Sequence, residues 1–478
     1  MGLAVSNCRG LIPGSLDFYL DSHAWFWRAN VRMKNSGSSR QLSRRHFLAL
    51  TGLAVAAPTI IPASALGRDG KTAPSERITM GVVGWGSQGP GNTRAFMSHP
   101  DCQVVAACDL DQNHLQSALK TINGHYGNDD CRSYRDYREL MARKDIDAVM
   151  LAVPDNWHAL ISVEAARNKK DIYGEKPLAR TIAEQQAIVK AVRKHQRIWQ
   201  TGSWQRSEKH FRYAAEIVRN GLIGKIQRVE VGLPGGHGDI SKMRDKMAAS
   251  QPPPELDYEM WVGPARMEPY IEARVHGNWR WNYNIGGGQL LDWIGHHCDI
   301  AHWGLGFDNS GPIEVEGQGE FPPKDAVWNT CTRYRINAKY PGDIEMVLAG
   351  GHDDIKSGTK WIGTEGWVWV NRGNAFESSH AEWMDARTLP ENLRKVKLTL
   401  TAGKNPHQRN FLDSVKSRQP TVTPVEAAHH SAIPGHLGLI SMLTGRKLKW
   451  DAGKEVILGD AEASKLLTRE YRAPWHHA

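Results

Sequence analysis

Ile78-Thr79-Met80-Gly81-Val82-Val83-Gly84-Trp85-Gly86-Ser87-Gln88-Gly89 decides how the chain is read. This apolar run enters a glycine turn, a helix is expected over about 91–98, and a second apolar run, Val104-Val105-Ala106-Ala107-Cys108, ends at Asp109. Strand, glycine turn, helix, strand, acid is the order that holds a dinucleotide. Gly84 permits the tight turn, Gly86 leaves bare backbone for a pyrophosphate, and Gly89 lets the helix pack close to the strand. Trp85, Ser87 and Gln88 complete the turn, and the N–H groups and positive end of the following helix attract phosphates. Asp109, twenty residues after Gly89, is placed to accept both ribose hydroxyls. Leu110-Asp111 adds no cation for a 2′-phosphate, so NAD is expected in preference to NADP.

Beyond Asp109 the pattern predicts helices over 113–122, 134–143 and 159–168, the strand Ala148 to Val153, and a short strand Asp171-Ile172-Tyr173. Alternating strands and helices build a doubly wound parallel sheet, with ligands outside the carboxyl ends of its strands. From about Gly202 the texture changes. Ile226 to Val231, Thr330 to Ile336 and Gly366 to Val370 alternate polar and apolar residues, as half-buried antiparallel strands do. The fold class is therefore α/β: an N-terminal Rossmann domain, then an α/β domain with a large, mostly antiparallel open sheet. We place the first over 76–200, the second over 201–445 and a C-terminal segment over 446–478. Pro252 to Trp281, rich in Pro and Trp, has no clear period and is expected to border the site. Helices over 408–415 and 427–443 and a strand Lys447 to Trp450 complete the reading.

Ser43-Arg44-Arg45-His46-Phe47-Leu48, followed by the uncharged stretch Ala49 to Leu66, reads as a twin-arginine export signal, with Ala63-Ser64-Ala65 as a cleavage site. Residues 1–65 are thus a leader, and Met33, ten residues before the arginine pair, suits as its start, so 1–32 are left out of the fold. The apolar stretch holds Pro58 and Pro62 and is too short to retain as a membrane anchor. The expected location is periplasmic, soluble after leader removal. Of the formal charge of +9, +5 belongs to residues 1–65, and the remaining +4 is a mild surplus. There is no Lys/Arg run of the kind nucleic acid needs. Five of the six cysteines lie beyond the leader without C-x-x-C spacing, which speaks against a disulfide framework or structural zinc.

Lys176 follows a parallel strand and precedes Pro177, beside the expected nicotinamide, where it can hydrogen-bond a substrate hydroxyl or share its proton. Asp292 and His296, four residues apart after Gly286-Gly287-Gly288, fall on one helix face. His296 is suited to accept a proton, and Asp292 to orient the ring or bind a neighbouring hydroxyl. Arg280 and Trp281 precede the glycine run and are expected at the substrate pocket. His297 points elsewhere and reads as structural. A metal held by His296, His297 and Asp299 lacks any H-E-x-x-H pattern to support it.

Taken together, Val83 to Gly89, Glu175-Lys176-Pro177 and Gly286 to Asp299 resemble the glucose-fructose oxidoreductase / inositol dehydrogenase (Gfo/Idh/MocA) family, over about 77–475. The resemblance implies that Lys176, Asp292 and His296 form the catalytic group. It also implies that Pro154, Asn156, His158 and Glu175 border the cofactor, and that the open sheet's outer face makes a homo-oligomer. The expected function is an exported NAD-dependent oxidoreductase that moves hydride between a secondary alcohol of a sugar, polyol or glycoside and nicotinamide. Because free NAD is scarce outside the cytoplasm, the nucleotide is expected to travel tightly bound. Two alternatives stay open: redox-neutral glycoside cleavage by oxidation and elimination on bound NAD, and a catalytically silent sugar- or nucleotide-binding protein.

Overall fold

The computed structural model describes residues 72–238, 241–385 and 395–476. The twin-arginine stretch lies outside the described residues. None of the described helices is long and apolar enough to cross a membrane.

The first domain alternates β1 (Ile78–Val83), α1 (Gly89–Met97), β2 (Cys102–Cys108), α2 (Gln112–Tyr126), β3 (Arg132–Tyr134), α3 (Tyr137–Ala142), β4 (Ala148–Leu151), α4 (His158–Arg167), β5 (Asp171–Gly174), α5 (Ile182–Lys194) and β6 (Trp199–Thr201). The strands are parallel in the order β3-β2-β1-β4-β5-β6. Val82, Val104, Ala148, Met150 and Ile172 are buried because helices cover both faces. The order reverses between β1 and β4, which opens a crevice at their carboxyl ends.

β3 departs from expectation. Its three residues carry no apolar run, so the helix predicted over 134–143 began too early. In the structure Tyr134 pairs with Cys108, and α3 starts after Asp136, whose carboxylate accepts the Arg138 N–H at 2.9 Å.

The second domain contains α6 (Lys209–Arg219), β7 (Ile226–Leu233), α7 (Tyr258–Val262), α8 (Gly288–Leu305), β8 (Glu314–Glu320), β9 (Arg333–Tyr340), β10 (Ile344–Gly350), β11 (Gly358–Gly363), β12 (Trp367–Asn371), β13 (Ala375–Ser378), α9 (Pro406–Ser417), α10 (Val425–Thr444), β14 (Leu448–Asp451), β15 (Val456–Leu458) and α11 (Ala461–Lys465). Its nine strands run β13-β12-β11-β7-β10-β9-β8-β14-β15, antiparallel throughout except for the β7·β10 pair. Residues of 446–478 thus extend this sheet. β9 starts later than the predicted Thr330, whose N–H is bonded to Trp281 O at 3.3 Å rather than to a strand, and its inward residues Tyr334, Ile336, Ala338 and Tyr340 carry the alternation on to Tyr340.

Apolar stripes of α8 (Leu291, Ile294, Cys298) and α10 (Ile433, Leu437) pack on one face of this sheet against Val229, Ile336 and Leu348. The α9 helix returns to the first domain. Phe411 and Leu412 join the core of Met80, Phe96 and Tyr173, while Arg409 and Lys416 reach Asp101 at 2.7 and 2.6 Å. Cys102, Cys108, Cys131, Cys298 and Cys331 are all buried and free.

Arg206, only 1% exposed, ties α8 to its neighbours, donating to Asp299 Oδ2 at 2.8 Å and to Asp308 Oδ1 at 2.8 Å. Burial pushes the Asp299 carboxyl up, and the guanidinium opposes that push. Replacing Arg206 by Met leaves a buried carboxylate without its cation. Urea denaturation should show a loss of about 3–5 kcal/mol, as when other buried ion pairs lose one partner.

Candidate active site

The glycine turn leaves β1 with Gly84 at φ +91°, where a Cβ would stand 2.3 Å from the Ala152 carbonyl oxygen. A Cβ on Gly89 would stand 2.1 Å from the Gly84 carbonyl oxygen, so α1 starts in contact with the turn. Gly86 differs: nothing lies within 4 Å of where its Cβ would be. Two glycines are thus required by the protein's own packing, and the third leaves bare backbone on a cleft. That cleft opens to solvent, and its empty volume of about 1240 Å³ includes the solvent at its mouth. Gly84, Gly86, Ser87, Gln88, Asp109, Pro154, Glu175, Lys176 and Arg280 all line it.

Asp109 Oδ2 accepts the Trp85 main-chain N–H at 2.6 Å, and Oδ1 accepts that of Asp111 at 2.9 Å. These bonds hold the carboxylate at the end of β2. The Trp85 indole is itself buried in the core, with Nε1 3.3 Å from Ser117 Oγ, so this residue serves the turn through its backbone. The Pro252–Trp281 excursion forms the cleft's opposite wall through Leu256, Met260, Trp261, His276 and Trp279. Its backbone is pinned to the start of α2, with Gln112 N–H to Glu255 O at 3.0 Å and Asp257 N–H to Leu110 O at 3.1 Å.

At the inner end, Lys176 leaves β5 and meets α8. Lys176 Nζ donates to Asp292 Oδ1 at 2.9 Å, and Arg280 Nε donates to the same oxygen at 2.9 Å. Burial pushes Asp292 up, but the two cations outweigh it and hold the carboxyl below the usual range. α8 comes this close because Gly295 has no side chain: a Cβ there would stand 2.9 Å from Lys176 Cβ. His296 follows. It is buried, and burial first, then the fields of Lys176, Arg372 and His297, push its pKa well below 6.5. Its Nδ1 has no hydrogen-bond partner among the described residues. The imidazole is therefore neutral and retains a free lone pair.

Three expectations need correction. Asp292 does not orient His296: its oxygen serves Lys176 and Arg280. Asn156 and His158 do not line the cleft. Asn156 is fully buried and donates from Nδ2 to Val262 O at 2.8 Å, whereas the His158 ring nitrogens lie 2.6 Å from Pro177 O and 2.9 Å from Val153 O. They brace the Lys176–Pro177 turn and the excursion, one layer behind the cofactor wall. Trp281 packs on His237 and Trp328 rather than facing the cleft with Arg280. Glu175, by contrast, lines the cleft and accepts from Asn92 Nδ2 at 2.7 Å, and burial raises its pKa. His297 is structural, 3.3 Å from the Gln205 amide and pushed down to about 3 by burial. Asp299 is committed to Arg206 and offers nothing to a metal beside His296.

Sequence reasoning gave Asp155 no role of its own, yet its Oδ2 accepts the Gly287 N–H at 3.2 Å and its buried carboxyl is pushed up. That reasoning also missed Arg135, which lines the cleft and donates to Leu110 O at 3.0 Å. Arg135 follows a short strand with no motif around it, so a search of the residues next to Asp109 finds no cation.

Residues 78–203 match the description "Oxidoreductase family, NAD-binding Rossmann fold", and residues 208–477 match "Oxidoreductase family, C-terminal alpha/beta domain". The chain belongs to the GFO/IDH/MocA oxidoreductase family. Among curated relatives, inositol 2-dehydrogenase of Salmonella typhimurium (strain LT2) is 31% identical over 150 residues, covering 31% of this chain and 43% of that protein. A glycosyl hydrolase family 109 protein of Shewanella pealeana is 26% identical over 210 residues, 39% of this chain and 44% of that one. The matched stretch thus spans less than half of either relative. Aldose-aldose oxidoreductase from Caulobacter crescentus, solved with glycerol, shares the fold at TM-score 0.57 and 17% identity, covering 78% of this chain and 99% of that one.

Gly86 and Gly89 make separable predictions. Gly86→Val fills only the open cleft, so the thermal midpoint of the nucleotide-free protein should stay unchanged while calorimetric NAD affinity falls by about 100-fold or more, the loss of roughly 3 kcal/mol. Gly89→Val must displace the Gly84 carbonyl and should lower both affinity and thermal midpoint.

Proposed function

We propose that this protein is an NAD-dependent oxidoreductase acting on a secondary alcohol of a sugar or polyol, with Lys176 and His296 at the reacting carbinol. The observation that carries this reading is an ammonium that lines the cofactor cleft, is held by Asp292, and acts through its field on a buried, unpartnered imidazole. The backbone of 84–89 would hold the pyrophosphate and Asp109 the ribose, and the open space at Gly86 suits that role. A bound nicotinamide supplies the hydride acceptor or donor.

The residues divide the remaining work. Lys176 donates a hydrogen bond to the carbinol oxygen, and its positive charge stabilises the alkoxide character that develops there. His296 takes the hydroxyl proton. The same burial and cations that make it a weak base also keep it deprotonated and available at neutral pH. Asp292 orients Lys176 and Arg280 and offers its second oxygen to a neighbouring hydroxyl. The Trp261 and Trp279 side of the excursion shields this end from water.

NAD is favoured over NADP because the Asp109 carboxylate stands where a 2′-phosphate would bring like charge. The pinned excursion across the cleft supports slow nucleotide release. Export by the twin-arginine route is proposed from Ser43-Arg44-Arg45-His46-Phe47-Leu48, and replacing both arginines by lysine should leave the protein in the cytoplasm on cell fractionation. A homo-oligomer is proposed through the outer face of the nine-stranded sheet, where β9 exposes Arg333, Asn337 and Lys339.

The deciding assay incubates protein lacking 1–65 with NAD and sugars or polyols, following NADH and sugar products separately. Turnover is expected, with Lys176→Met and His296→Gln each lowering kcat by about 10²–10⁴. A variant that keeps full turnover would remove that residue from the chemistry. Because His296 titrates below its ordinary value of 6.5, it stays neutral as pH falls through 6.5, so the acid limb of kcat/KM should lie below that pH. An acid limb at or above 6.5 would exclude His296 as the base.

A further inference from the structure

Arg372 follows β12 and reaches the same end of α8 from the opposite side. Its guanidinium lies 4.4 Å from the centroid of the Trp293 ring and 4.9 Å from that of Trp204. Trp293 sits between Asp292 and His296 in sequence, and its ring is 5.4 Å from the His296 ring. Arg372 Nε is buried with no hydrogen-bond partner, and no carboxylate among the described residues is paired with the guanidinium. Arg180 and Lys170 are also buried without a paired carboxylate, but they donate to main-chain carbonyls, Arg180 to Tyr283 O and Lys170 to Arg143 O and Ile146 O. Arg206 is saturated by Asp299 and Asp308, and Arg280 is bonded to Asp292. A half-buried cation without a counter-charge is costly unless a ligand provides one.

Resting on the oxidoreductase reading of this site, we propose that Arg372 recognises a carboxylate on the substrate, which makes the substrate a sugar acid such as a uronate. The guanidinium packs near both indoles, no hydrogen bond claims its terminal nitrogens among the described residues, and its planar fork matches a carboxylate. The surrounding charge agrees. Lys176 and Arg280 share the single negative charge of Asp292, and Arg372 adds a third cation whose field reaches both His296 and His297. Asp292 and Glu208 also act on Arg372 without reaching ion-pair distance. They would tolerate a monoanion there and repel a phosphate dianion. A carboxylate at one end of the sugar, with the carbinol at Lys176 and His296, sets which hydroxyl reacts.

The test compares glucose with glucuronate, galactose with galacturonate, and glucose 6-phosphate, on the full chain loaded with NAD. Binding is read by quenching of tryptophan fluorescence, which Trp204 and Trp293 report directly, and turnover is read in the same samples. The uronates should bind about 10- to 100-fold more tightly than their neutral partners, the range for a hydrogen bond to a charged group. Arg372→Gln should erase that preference, and Arg372→Lys, keeping charge without the fork, should retain part of it. Equal binding of acid and neutral sugar, or a preference that survives in Arg372→Gln, overturns the proposal. Tighter binding of the sugar phosphate overturns the carboxylate assignment. If Arg372→Gln does not fold, the comparison rests on Arg372→Lys, where full retention of the preference overturns the fork. Uronate that binds through Arg372 without being turned over contradicts the oxidoreductase reading and leaves the subsite standing. Neutral sugars turned over without uronate binding do the reverse.

Discussion

One carboxylate oxygen, Asp292 Oδ1, joins the two halves of the site. It accepts from Lys176, which leaves the parallel sheet, and from Arg280, which ends the excursion over the cleft. Lys176, 116 residues before Asp292, and Arg280, 12 residues before it, are thereby fixed to one atom. The two cations keep the buried Asp292 ionised, while burial first and then the field of Lys176 depress the pKa of the neighbouring imidazole. Without a Cβ at Gly295 the helix carrying Asp292 sits directly on Lys176; with one, the pair would be pushed apart.

The nucleotide turn shows a similar economy. Gly84 and Gly89 are required by packing, and of the three only Gly86 has open space where its Cβ would be. Asp109 is locked by main-chain N–H donors before any ribose arrives, so its orientation carries no ordering cost on binding. The wall opposite is made of Trp, Met and Leu from the excursion, so the pocket is apolar on one side and lined with backbone dipoles on the other.

How far this was legible in sequence depended on range. The glycine turn, Asp109, Lys176-Pro177 and the Asp292/His296 pair are local patterns in which spacing alone dictates geometry, and their positions follow. β3 was missed because three polar edge residues carry no periodic signal. Asn156, His158 and Trp281 lie beside true lining residues in sequence, but the local backbone turns them into the layer behind. Arg135 and Arg372 arrive at the site only through tertiary folding, and no nearby residue marks them. Asp292 was recognised as part of the site, but its partner was misjudged, since helical spacing shows which side chains share a face and not which outside cation will claim one of them.

The return of α9 onto the first domain has a consequence for how the chain is made. Phe411 and Leu412 fill the same core as Met80 and Phe96, and Asp101 finds its cations in Arg409 and Lys416. During synthesis the nucleotide-binding half therefore waits, with part of its apolar surface open, until Pro406–Ser417 has been made. The two halves that sequence divides near residue 200 are one unit of assembly. A chimaera joined at that boundary would inherit a cofactor domain lacking part of its own interior.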